Sequence, residues 1–72
     1  MKNQPLKGYR QLSQVETDLI NEIKNMASQV GDLVTKLTLD GDLDQRWIAL
    51  GKTDLQRGFM ALTRAVAQPT TF

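Results

Sequence analysis

A chain of 72 residues with a formal net charge of +1 holds one domain at most, and a domain this small buries little core when it folds alone. Cysteine and histidine are both absent, which excludes disulfides, thiol nucleophiles, imidazole acid–base catalysis and the usual zinc sites. Self-association is the remaining common way to stabilise such a chain. The near-neutral charge gives no reason to expect a membrane, DNA or RNA as a partner.

No apolar run approaches the roughly 18 residues that a membrane span requires, and residues 1–10 lack the apolar core of a signal peptide. We therefore expect a soluble, cytoplasmic protein.

Residues 1–12 are polar and basic and are interrupted by a proline and a glycine, which predicts an irregular N-terminal arm. Within this arm, Lys7 and Arg10 offer positive charge and Tyr9 offers an aromatic ring. The ring is suited to stacking on a nucleobase, although it is equally suited to packing over the rest of the chain.

The sequence Ser-Gln-Val-Glu at 13–16 matches a capping box, so a helix is expected to begin at Gln14. Apolar residues follow at steps of three and four, which is typical of one face of an α-helix. That predicted face consists of Val15, Leu19, Ile23, Met26, Val30, Leu33, Val34 and Leu37.

An Asp-Gly pair within residues 38–45 predicts a turn before a second helix. Asp42 with Gln45 forms a variant of the capping box, and Asp44 is the alternative N-cap. The helix is expected to end near Ala67, because a proline lies two residues beyond it. Its predicted apolar face consists of Trp47, Ile48, Leu55, Phe59, Leu62 and Val66.

Two helices of similar length joined by a short turn predict an all-α, antiparallel two-helix hairpin, which we place at residues 13–69. Two helices cover only part of each other's apolar stripe, so the remaining apolar surface is expected to be buried between copies of the chain. Gly51 and Gly58 lie on the apolar side of the second helix. They either let another helix approach closely or are simply tolerated at a cost in helix propensity.

The second helix also carries a stripe of positive charge. At about 100° per residue, Arg46, Arg57 and Arg64 leave the helix on one side, together with Thr53 and Met60. Several arginines on one stripe can bind anionic oxygens through paired hydrogen bonds. The alternative is a solvated face on which Arg57 pairs with the aspartate three residues before it.

On the first helix, Lys24 lies opposite the apolar face among short polar side chains. This arrangement fits a phosphate-binding surface or an ordinary solvated face. The acidic residues are spread along a polar face without a nucleophile or base beside them, and no glycine-rich phosphate loop is present. We therefore expect a binding protein without a cofactor or metal, and not an enzyme.

Several short motifs extend these observations. They are Tyr-Arg-x-Leu-Ser before the first helix, a lysine inside that helix, and Leu-Gln-x-Gly-Phe-Met and Arg-Ala-Val-x-x-Pro in the second. In this order, over about residues 8–69, they resemble the small phage-encoded anti-CBASS proteins, which are cyclic-oligonucleotide sponges with a helical hairpin domain. The resemblance implies a compact homohexamer in the cytoplasm of the infected bacterium. It also implies that the protein sequesters cyclic dinucleotides between protomers without cleaving them.

The resemblance also implies which residues bind the ligand. Tyr9 and Lys24 match the family's dinucleotide pocket, and Lys7 and Arg10 are candidates beside Tyr9. Some members bind cyclic trinucleotides in separate pockets, for which Arg64 is the best match and Arg57 a weaker inference from its stripe. A second hypothesis is a structural hairpin oligomer or interaction module without a nucleotide ligand. A third is a small nucleic-acid binder that uses the arginine stripe and would show a steep salt dependence.

Overall fold

A computed structural model describes residues 11–70, which form two α-helices and no strand within that range. Helix α1 spans Gln14–Thr38 and helix α2 spans Gln45–Ala67. The two pack against each other as an antiparallel hairpin, which confirms the predicted all-α two-helix hairpin, whereas the predicted assembly into a homo-oligomer stays a prediction. Nearly all of the predicted arm lies outside the described residues, so the division into an arm and a hairpin domain stays a prediction.

The start of α1 is fixed by the predicted capping box. The Ser13 backbone N–H donates to Glu16 Oε1 at 2.8 Å, and the Glu16 N–H donates to Ser13 Oγ at 3.2 Å. The two bonds satisfy donors that the first turn of a helix otherwise leaves without partners. The predicted first residue, Gln14, is confirmed.

The N-cap of α2 is Asp44, which settles the choice between the two predicted caps. The backbone N–H groups of Arg46 and Trp47 donate to Asp44 Oδ1 at 3.1 and 3.3 Å. Gln45, the presumed partner of an Asp42 cap, instead donates from Nε2 to the Asp40 carbonyl at 2.9 Å. The Asp42 cap was wrong because Gln45 already closes the turn that precedes the helix.

The end of α2 is closed by a residue in the left-handed region. Gln68 has φ 44° and ψ 61°, and its N–H donates to the Arg64 carbonyl at 2.8 Å. This arrangement resembles the glycine caps that end many helices, although glycine would reach the conformation with less strain. Pro69 follows at once, so the predicted end at Ala67 is confirmed.

None of the residues 11–70 is buried, and the contact between the helices consists of half-buried side chains. The predicted apolar face of α1 is in fact two adjacent stripes. The half-buried stripe faces α2 and contains Ile23, Val30, Val34 and Leu37 of the predicted face; Ile20 and Ala27, which were not in that face, and Leu12, which precedes the helix, are half-buried as well. The second stripe is exposed and consists of Val15, Leu19, Met26 and Leu33.

The predicted apolar face of α2 divides in the same way. Ile48, Phe59 and Val66 are half-buried against α1, whereas Leu55 and Leu62 are exposed. Trp47 is 65 % exposed although it belongs to the predicted face. A pair of helices therefore accounts for about half of the apolar pattern, and the rest of that pattern lies open on the surface of one chain.

Candidate ligand-binding surfaces

Lys24 lies near the middle of α1 and is exposed. Its helical neighbours three and four positions away are Ile20, Asn21, Ala27 and Ser28, none of which is acidic. A carboxylate at one of these positions would have formed an ion pair along the helix. Lys24 therefore presents a charge that no acidic residue three or four positions away on its own helix neutralises.

Arg57 and Arg64 are both exposed on the outer side of α2, away from α1. Seven residues separate them, which places their Cα atoms about 10 Å apart along the helix axis. The predicted alternative, an ion pair between Asp54 and Arg57, is not formed within the part of the chain that the structure describes. The stripe is thus real as a surface feature, and Arg46 extends it to the first turn of α2.

Tyr9, Lys7 and Arg10 lie outside the described residues, so their predicted role stays a prediction. Of the candidate ligand-binding residues, Lys24, Arg57 and Arg64 are described, and they are exposed on two different helices. One chain does not gather them around a common cavity.

Among the described residues, two grooves stand out, and neither is lined by Lys24, Arg57 or Arg64. The first groove runs between the helices, has a volume of about 570 Å³ and has an apolar floor that includes Val34 and Phe59. Polar side chains at its edge come from Thr35, Lys52 and Gln56. Sequence reasoning missed Lys52 because it sought cations opposite the apolar stripe, whereas Lys52 borders that stripe.

The second groove lies along α2 and has a volume of about 560 Å³. Its lining is almost entirely apolar and includes Gly51, Leu55, Gly58 and Leu62. A Cβ atom added at either glycine would meet nothing within 4 Å in the chain itself. The glycines therefore have no packing role inside one hairpin, and the groove is open to an external surface.

No helix in the described part of the chain is long and apolar enough to span a membrane.

Comparison with known proteins supports the resemblance noted from the motifs. A family model described as the Acb2/Tad1 hairpin domain matches residues 1–67. The chain is also 31% identical to Anti-CBASS protein 2 of Pseudomonas phage JBD67, over 96% of this chain and 97% of that protein. The alignment spans 105 positions and is longer than this chain, so it includes positions that have no counterpart here. From the motifs, the two-helix fold and these matches, the chain belongs to the Acb2/Tad1 hairpin-domain family.

Proposed function

We propose that this protein is a phage anti-CBASS protein that binds the cyclic dinucleotide messengers of bacterial CBASS immunity and sequesters them in the cytoplasm of the infected cell. The observation that carries the proposal is the match to Anti-CBASS protein 2, which extends over nearly the whole length of both chains. Family membership and the hairpin fold agree with it.

The proposed dinucleotide site consists of Lys24 from α1 with Tyr9, Arg10 and Lys7 from the N-terminal residues. Lys24 is exposed and has no acidic neighbour along its helix, so its ammonium group is available to a phosphodiester. Tyr9 supplies a ring on which a base stacks, and this kind of contact contributes about 1–3 kcal/mol per base. Arg10 and Lys7 add positive charge beside the ring.

The site is proposed to lie between chains. A cyclic dinucleotide carries two phosphates and two bases in a nearly two-fold arrangement. Two copies of one chain related by a two-fold axis offer the same lysine and tyrosine twice, and this symmetry matches the ligand. We propose that the assembled form is a homohexamer.

A second site for cyclic trinucleotides is proposed at Arg64, with a smaller role for Arg57. Three phosphates suit a three-fold axis at which one arginine from each of three chains converges. Arg46 lies on the same stripe about 27 Å from Arg64 along the helix and is therefore a suitable control for this site.

The proposed action is sequestration and not cleavage. The sequence has no histidine or cysteine, and the candidate residues are cations and an aromatic ring, which bind phosphates and bases. Messenger held in this way does not reach its effector, so the immune response is not triggered.

The proposal is tested by isothermal titration of the full chain with a panel of cyclic di- and trinucleotides. We expect sub-micromolar binding of at least one cyclic dinucleotide, and mass spectrometry should show the ligand unchanged after heat releases it. No heat with any ligand of the panel would refute the proposal, and a linear or hydrolysed product would refute sequestration.

A structural or interaction role without a nucleotide is the second candidate, and the exposed apolar surface favours it. The two candidates differ in one readout, because both predict assembly of the chain and only the first predicts binding of a cyclic nucleotide. An assembled protein that gives no heat with any ligand of the panel would select the second candidate.

A further inference from the structure

The hairpin leaves large apolar side chains exposed along both helices. Val15, Leu19, Met26 and Leu33 of α1 and Leu55 and Leu62 of α2 are each between 41 % and 68 % exposed. Contiguous apolar surface of this kind is typical of a site that another molecule covers.

The exposed apolar residues are concentrated on one side of the hairpin. The first groove lies on the other side of the hairpin, where it is lined by Gly31 and Thr35 of α1 and by Gln56 and Met60 of α2. At about 100° per residue, the other flank of each helix carries apolar or small side chains. We call this side the apolar face; it consists of Leu19, Met26 and Leu33 of α1 and Gly51, Gly58, Leu62 and Ala65 of α2.

The two helices contribute residues of opposite size to the apolar face. Leu19, Met26 and Leu33 recur every seven residues on α1, and Met26 and Leu33 are each 54 % exposed. On α2 the residues that recur every seven positions are small, namely Gly51, Gly58 and Ala65. A repeat of seven residues is the spacing at which side chains of one helix fit between those of a second helix.

The large residues of α1 and the small residues of α2 also lie at matching positions along the helix axis. Leu33 lies five residues before the end of α1, and Gly51 lies six residues after the start of α2. Met26 lies twelve residues before the end of α1, and Gly58 lies thirteen residues after the start of α2. Leu19 and Ala65 lie nineteen and twenty residues from the same two helix ends. Because the helices are antiparallel and joined by a short turn, each large side chain of α1 lies beside a small residue of α2.

We propose that the apolar face binds the same face of a second copy, through a two-fold axis that runs parallel to the helices. Rotation about this axis brings α1 of one chain to face α2 of its partner, and it leaves the position of every residue along the helix axis unchanged. Leu33, Met26 and Leu19 then fit against Gly51, Gly58 and Ala65 of the partner, and the reverse contacts form by symmetry. The product is a four-helix bundle whose contact is isologous.

The pattern of residues on the apolar face favours a second copy of this chain as the binding partner. An unrelated partner would need large and small residues at the same spacing, whereas a second copy of this face already has both at matching positions along its helices. The helical glycines support the choice, because each lowers helix propensity and neither contacts anything within its own chain that an added Cβ would disturb. This inference rests on the self-association in the proposed function and identifies one of the surfaces that would form it.

Disulfide trapping tests the pairing directly, because the chain has no cysteine of its own. We mix a Met26→Cys variant with a Gly58→Cys variant under oxidising conditions without nucleotide. The proposal predicts a disulfide between the two variants, since a disulfide requires Cα atoms about 4.4–6.8 Å apart. Thr35→Cys replaces Met26→Cys in the control, because Thr35 lines the opposite groove and should give no more than a fifth of that yield.

A size substitution checks that the contact is close. Adding Gly51→Leu to both cysteine variants should lower the disulfide yield at least fivefold, and Gly31→Leu should not, although both glycines are helical and have free space in the chain. Adding Leu33→Ala to the Gly51→Leu chains should restore the yield, because the large and small residues have exchanged places. Circular dichroism confirms that each variant is helical.

Equal yields from Met26→Cys and Thr35→Cys, or an effect of Gly31→Leu as large as that of Gly51→Leu, would overturn the inference. Because the trapping uses no ligand, its failure is separate from a failure of nucleotide binding. A trapped pair that binds no cyclic nucleotide would refute the proposed function alone.

Discussion

Replacing Lys24 with alanine should nearly abolish binding of the cyclic dinucleotide while the protein remains folded and assembled. Lys24 is exposed on α1 and has no acidic residue three or four positions away. Its removal therefore relieves no ion pair along the helix, and the measured loss reports the contact with phosphate. Lys24 is exposed and alanine has a high helix propensity, so the hairpin should be unaffected.

The expected size of the loss follows from the two-fold symmetry of the proposed site. A hydrogen bond to a charged group contributes about 1.5–3 kcal/mol. Each ligand would meet two copies of Lys24, so the substitution removes about 3–6 kcal/mol, which weakens binding roughly 10²- to 10⁴-fold. A site with a single lysine would lose only the square root of that factor.

Titration calorimetry at a fixed salt concentration measures this loss, and Lys36→Ala is the matched control. Lys36 lies on the same helix, carries the same charge and points about 120° away from Lys24. Its substitution should change the affinity less than threefold. Equal losses for the two variants would mean that net charge alone governs binding, and unchanged binding of the Lys24→Ala variant would show that the assignment is wrong.

Three further predictions concern the helix ends and are measured by thermal unfolding at one protein concentration. Asp44→Ala should lower the stability by about 1 kcal/mol through loss of the N-cap, whereas Asp42→Ala should have little effect; the reverse order would contradict the capping described above. Ser13→Ala should cost a similar amount, about 1 kcal/mol, because it removes half of the capping box, and an unchanged melting temperature would contradict this. Gln68→Gly should raise the stability by about 1 kcal/mol, because glycine reaches a positive φ without strain, and a lower melting temperature would contradict it.

The helix boundaries were predictable from sequence because their causes are local. A capping box requires four consecutive residues, and Ser13 with Glu16 supplied it; the proline after α2 marked the other end. The error at the second N-cap is also local in origin. Asp42 and Asp44 both offer a carboxylate, and the choice depends on Gln45, which reaches back to the Asp40 carbonyl in the turn.

The division of the apolar face was not predictable from periodicity. Val15, Leu19, Met26 and Leu33 follow the same steps of three and four as the residues that face α2. Periodicity identifies a wide apolar arc, but it does not say which part of the arc meets the partner helix. Only the packing of the two helices separates the half-buried stripe from the exposed one.

The sequence placed Lys24, Arg57 and Arg64 on the correct helices and on exposed sides. It did not predict whether these residues bind a ligand, because helical periodicity gives the side of a helix on which a residue lies and not what its side chain contacts. The family motifs, and not the helical pattern, suggested a nucleotide ligand and an assembly.

The central claim, that cyclic nucleotides bind at sites made by several copies of this chain, is tested most directly by native mass spectrometry. The protein is titrated with a cyclic dinucleotide over a range of dilutions, so that both single chains and assemblies are observed. The account predicts bound ligand on assembled species alone, with one dinucleotide for every two chains at saturation. Ligand bound to single chains with undiminished affinity would contradict it.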